Sequence, residues 1–87
     1  MKVCILYHPE SEFSRGIEEF ARDFERTRGK KVELMSIETR EGAATASLYD
    51  IVQYPTVLAL SDDGQIQKAW EGPVLPLMDE VSGYLVQ

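Results

Sequence analysis

Apolar positions change their period several times along the chain, and each change predicts an element. Val3-Cys4-Ile5-Leu6-Tyr7 is a continuous apolar run of strand length, the pattern of a strand covered on both faces. Pro9 ends it. From there the apolar residues fall at Phe13, Ile17, Phe20 and Phe24, steps of four, three and four that predict one face of a helix. Its opposite face carries Glu18, Glu19, Arg22, Asp23, Glu25 and Arg26, with Glu18–Arg22 and Asp23–Arg26 spaced to pair. Gly29 supplies a stop, and Arg26 and Arg28 suit the negative end of the helix. Residues 31–37 alternate through Val32, Leu34 (with Met35) and Ile37, predicting a second strand.

Helical spacing returns at Ala44, Leu48 and Ile51 and ends before Tyr54-Pro55, with Gly42 in the first turn, where poor helix propensity costs least. Thr56 to Leu60 reads as a third, buried strand. Asp62-Asp63-Gly64 signals a tight turn, so residues 65–71 form the returning strand of a hairpin. Lys68 shares a face there with Ile66 and Trp70, which suits a sheet edge. Gly72-Pro73 breaks the chain, and Pro76 is expected in the first turn of a last helix with Met78, Val81 and Leu85 on its apolar face. The order is β-α-β-α-β-β-α. Strands joined through a helix are expected to run parallel, and the hairpin adds an antiparallel pair. The expected fold class is therefore α/β: one domain over 1–87, a four-stranded mixed sheet flanked by helices.

Composition narrows the function. With 87 residues and 44% apolar side chains, the chain can build one small core without covalent staples. Its net charge of −6 argues against non-specific nucleic-acid binding and against adhesion to anionic membrane. Residues 10–31 hold six acids and six bases, whereas residues 32–87 hold nine acids against Arg40 and Lys68, so the second half is the acidic one. One cysteine, Cys4, allows neither an internal disulfide nor a C-x-x-C pair. His8 lies four strand residues further on, roughly 13 Å away, too far to share a metal with it. The expectation is a cytoplasmic protein without cofactor or metal. The early apolar run is too short for a secretion signal, and no stretch reaches membrane-spanning length.

Two motifs then bear a resemblance. Tyr7-His8-Pro9-Glu10-Ser11-Glu12-Phe13-Ser14 ends the first strand and opens the first helix. It is similar to the Y-x-x-P-x-C-P-Y-C region of glutaredoxins, with Ser11 and Ser14 where that family has its two cysteines. Ile51-Val52-Gln53-Tyr54-Pro55-Thr56-Val57 resembles the family's V-x-x-x-P-T segment, whose proline is cis. Together with the element order they mark the chain as resembling the thioredoxin-like superfamily in its short, glutaredoxin-sized form, over nearly its whole length. The resemblance implies a shallow groove in which Pro55 faces the Ser11–Ser14 helix end. It also implies that the main chain of Tyr54 pairs with an extended peptide.

The departure from the family is chemical. Dithiol exchange needs a thiolate and a resolving thiol, and a serine hydroxyl supplies neither. The leading expectation is therefore a redox-inactive protein- or peptide-binding domain, monomeric or weakly oligomeric, that recognises its partner through Tyr7, His8, Ser11, Phe13, Ser14, Tyr54 and Pro55. The alternative is a thiol-disulfide or glutathione-linked enzyme working through Cys4, or one whose active-site cysteines were replaced by serine. A third reading is a subunit that associates through the sheet edge near Lys68. Each residue also has an ordinary role. Ser11 suits a helix N-cap, Cys4 a small buried hydrophobe, His8 a solvated loop position and Trp70 a core cover. Ser11 and His8 as nucleophile and base lack a visible acid to orient the imidazole.

Overall fold

A computed structural model describes residues 1–85, so the last two positions of the expected 1–87 domain lie outside it. Seven elements follow in the order β1 (Lys2–Tyr7), α1 (Ser14–Arg28), β2 (Glu33–Ser36), α2 (Arg40–Leu48), β3 (Thr56–Leu60), β4 (Ile66–Glu71) and α3 (Met78–Gly83). They build one four-stranded sheet in the order β2-β1-β3-β4. β1 pairs parallel with β2, as expected for two strands joined through α1. β3 runs antiparallel to β1, pairing Leu6 with Thr56 and Lys2 with Leu60.

That orientation corrects the expectation of parallel strands across α2. The helix starts beside the end of β2 and finishes near Lys2 and Leu60, at the opposite end of the sheet. Residues 49–55 then carry the chain back along α2 before β3 begins, so the strand enters the sheet reversed. α2 is only nine residues long, about 14 Å, which this return segment can span.

The continuous apolar run of β1 has the predicted cause, since the strand is central and covered on both faces. Val3, Ile5 and Tyr7 join Val57 and Ala59 under α1 and α3, where Ile17, Phe24 and Val81 are buried. Cys4 and Leu6 join Leu58 and Leu60 under α2, with Met35, Ala46 and Ile51. Phe20 stacks on Phe24 at 6.0 Å between ring centroids. An Arg28–Asp79 ion pair at 2.6 Å links the end of α1 to α3. Trp70 covers this layer edge-on to Tyr84, and its indole N–H has no hydrogen-bond acceptor among the described residues.

Several local expectations need correcting. Ser11 does not cap α1: the helix starts at Ser14, Phe13 holds the N-cap position without a side-chain bond, and Ser11 sits in the turn before it. Phe13 leaves the apolar face and is 38% exposed. Asp23 and Arg26 pair at 2.9 Å, but among the described residues Glu18 and Arg22 form no ion pair. Gly29 ends the helix as expected, in the left-handed region at φ 69°, with its N–H on the Glu25 carbonyl. Pro76 precedes α3, whose N-cap is Leu77, and Leu85 is buried just beyond the helix end.

The buried face of α2 is rotated from the one the spacing suggested. Ala44 and Leu48 face out, Leu48 being 73% exposed, while Gly42 and Ala46 face the sheet. Gly42 allows this approach, because a methyl there would collide with the Ser36 carbonyl. Small residues bring α2 close to the sheet, and Leu48 would be too large for the same surface. Thr39 starts the helix, its hydroxyl oxygen accepting the Gly42 N–H at 3.0 Å.

Candidate functional site

The C-terminal end of β1, the first turns before α1 and the entry to β3 meet at one end of the sheet. The Tyr7 ring lies in the core under α1, and its main-chain carbonyl accepts the Ile37 N–H at 3.1 Å. Burial, with Glu18 adding to it, raises the Tyr7 phenol above its usual pKa and keeps it neutral. His8 emerges from the strand into solvent. Its imidazole meets the edge of Tyr54 with 5.1 Å between centroids and 81° between planes.

Ser11 closes a turn onto the same residue: its N–H and its hydroxyl both donate to the His8 carbonyl, at 3.1 and 2.8 Å. The hydroxyl thus engages main chain rather than the imidazole, which is not the contact of a nucleophile with its base. Ser14 donates its N–H to the Ser11 carbonyl at 3.3 Å, and Phe13 accepts the Ile17 N–H at 3.1 Å, so turn and helix form one unit.

Across from this turn, the Tyr54–Pro55 peptide bond is cis. Pro55 is buried, and its carbonyl accepts the Gly72 N–H at 2.9 Å, which brings the loop after β4 to the same end. Tyr54 is half-buried and held at both ends of its side chain. The hydroxyl donates to the Ile51 carbonyl at 3.0 Å, and the ring rests on His8. Its main chain is another matter. Among the described residues, no turn, loop or cap hydrogen bond uses the N–H or carbonyl of Tyr54.

The structure therefore joins Tyr7, His8, Ser11 and Tyr54 through direct contacts or chain neighbours, and sets Pro55 beside them. Phe13 and Ser14 reach this end only through the α1 turn. Sequence reasoning did not single out Val52, 82% exposed beside Tyr54, or Asp50, which adopts a left-handed φ of 56°. An apolar residue next to the X-Pro-Thr segment was the available signal for Val52.

Cys4 lies elsewhere, mid-strand on the α2 side, with none of its surface exposed. Burial pushes its thiol up to about 11, with Lys2 opposing and Glu33 adding to the shift, so the sulfur stays protonated near neutral pH. Among the described residues no group of three or more His, Cys, Asp or Glu side chains is arranged to hold a metal ion. No described helix is long and apolar enough to cross a membrane.

No family model matches the chain, and no curated protein matches it. Solved structures do. It is similar to thioredoxin 1 from the thermophilic eubacterium Thermosipho africanus TCF52B, with a TM-score of 0.69 and 13% identity over 98% of this chain and 90% of that one. It is also similar to a designed protein, with a TM-score of 0.65 and 23% identity over 97% of this chain and 71% of that one. At such identities the likeness carries architecture and not activity. The chain has a thioredoxin-like fold.

Proposed function

We propose that this domain is a redox-inactive, thioredoxin-like binding module that holds an extended protein or peptide segment against Tyr54 and Pro55. One observation carries the reading. At the end of the sheet where the Tyr54 main chain stands outside every described turn, loop and cap hydrogen bond, the turn before α1 and the first residue of that helix carry the hydroxyls of Ser11 and Ser14 and no thiol. An unused N–H and carbonyl at a strand entry are the groups that pair with an added strand, and the surrounding side chains then supply selectivity. His8 contacts that position from α1's side, with Ser11 bonded to it, and Phe13 and Ser14 follow in the same turn and helix start. The burial of Cys4 supports the redox-inactive part, because thiol exchange requires an accessible thiolate.

The test is partner capture from a lysate of the source organism, with wild type beside Tyr54→Ala after both are shown to be folded. A partner lost selectively by the variant is the expected result. A partner kept equally by both moves the interface away from this groove and overturns the reading.

A further inference from the structure

A pocket of about 360 Å³ opens directly beside the groove, between α2 and the return segment that leads to Pro55. Ala43, Ala46 and Ser47 form the helix wall, and Ile51, Val52 and Tyr54 form the other. The short side chains of α2 leave the space, and it is large enough for one aliphatic side chain together with part of the segment that carries it. Val52 continues the apolar surface outwards, almost fully exposed.

Asp50 lines the same pocket and gives it a sign. Its carboxylate is exposed, and among the described residues no cation lies within ion-pair distance of it. It sits just past the C-terminal end of α2, the negative end of the helix dipole. The chain as a whole adds a charge of −6. Arg40, the first residue of α2, stands at the opposite end of the helix, roughly 12 Å along its axis from Leu48 and beyond the screening length of about 8 Å at physiological salt. The Asp50 carboxylate and the helix end beside it both favour a cation at the pocket.

We propose that the segment held at Tyr54 carries an aliphatic side chain into this pocket and a lysine or arginine, two positions along, to Asp50. Side chains two apart share one face of a strand, so both can be presented while the segment pairs with the Tyr54 main chain. This rests on the groove-binding reading and adds the sequence character of its ligand.

The experiment is an amide-resolved NMR titration of the whole chain with the blocked peptide Ser-Thr-Lys-Thr-Leu-Thr-Ser and two relatives, one with Glu for Lys and one with Gly for Leu. The Lys-Leu peptide is expected to shift the amides of Ala43, Ser47, Ile51 and Tyr54. The Glu peptide should bind roughly three- to tenfold more weakly, and Asp50→Asn, which tolerates the same backbone geometry, should erase most of that difference. The Gly peptide should lose roughly tenfold or more. Ala43→Leu, at an exposed helix position, should weaken the Lys-Leu peptide by filling the pocket. Equal affinity for the Lys and Glu peptides, with shifts still at Tyr54, overturns this proposal and leaves the groove reading standing. No shift at Tyr54 with any of the peptides overturns both.

Discussion

At the scale of single residues, Cys4 and Gly42 show how one atom decides a role. Cys4 has the reactivity of a thiol only as far as its burial allows, and here burial holds the proton on. Because its folded-state pKa of about 11 lies above the unfolded value near 9, the unfolded chain releases the proton first as pH rises. Stability is thus complete below about pH 9 and falls between about pH 9 and 11, by on the order of 2 kcal/mol from this group. Tyr7 acts in the same direction from its own ordinary value upward. Denaturant titrations of wild type and Cys4→Ala across that range should show a shallower decline in the variant; identical slopes would mean that the thiol is not buried as described. Gly42 decides by the atom it lacks. Gly42→Ala should cost about 1–3 kcal/mol by forcing α2 off the Ser36 carbonyl, although alanine is the better helix former. An unchanged or raised midpoint in urea would contradict that close approach.

At the scale of elements, the two helix starts give opposite expectations for similar side chains. Thr39 caps α2, so Thr39→Ala should lose about 1 kcal/mol. Ser11 precedes α1 in a turn and donates to a carbonyl, so Ser11→Ala should lose less than about 0.5 kcal/mol. Equilibrium unfolding of both variants measures the contrast, and an equal loss would put the cap back at Ser11.

The same comparison shows what was legible in the sequence. Periodicity located every strand and helix, because β1 from Val3 and β3 from Val57 are continuous apolar runs and α1 has a clear polar face. It misjudged α2, since its buried face is made of Gly42 and Ala46, which carry almost no hydrophobic signal, while Ala44 and Leu48 produced an equally good helical pattern on the wrong side. Serine propensity for caps misplaced Ser11, because the turn back to His8 competes for the same hydroxyl. The candidate site was legible from Tyr7 to Ser14 and at Tyr54-Pro55, where local motifs carry it. Its neighbour at Asp50 and Val52 was not, since nothing in the spacing reveals that residues 49–55 run back along α2.

At the scale of the whole molecule, the two sheet edges are unequal. β4 pairs with β3 through a register shift, where Ala59 faces Lys68 but Leu60 faces Ile66, and it carries an exposed lysine, Lys68, both of which oppose strand addition and weigh against association through that edge. The proposed partner strand would add instead at the end of the sheet, where the Tyr54 main chain borders both the α1 turn and the α2 pocket. The one cysteine, Cys4, is buried in the core, while the end of the sheet at Tyr54 exposes main-chain groups and the apolar side chain of Val52. Binding without thiol chemistry should survive the loss of the thiol, so the decisive measurement is capture of the partner with Cys4→Ala in excess reductant, next to wild type without reductant. The same partner in the same yield from both is the expected result; a partner lost on removing Cys4, or released by the reductant, would mean that binding runs through the thiol.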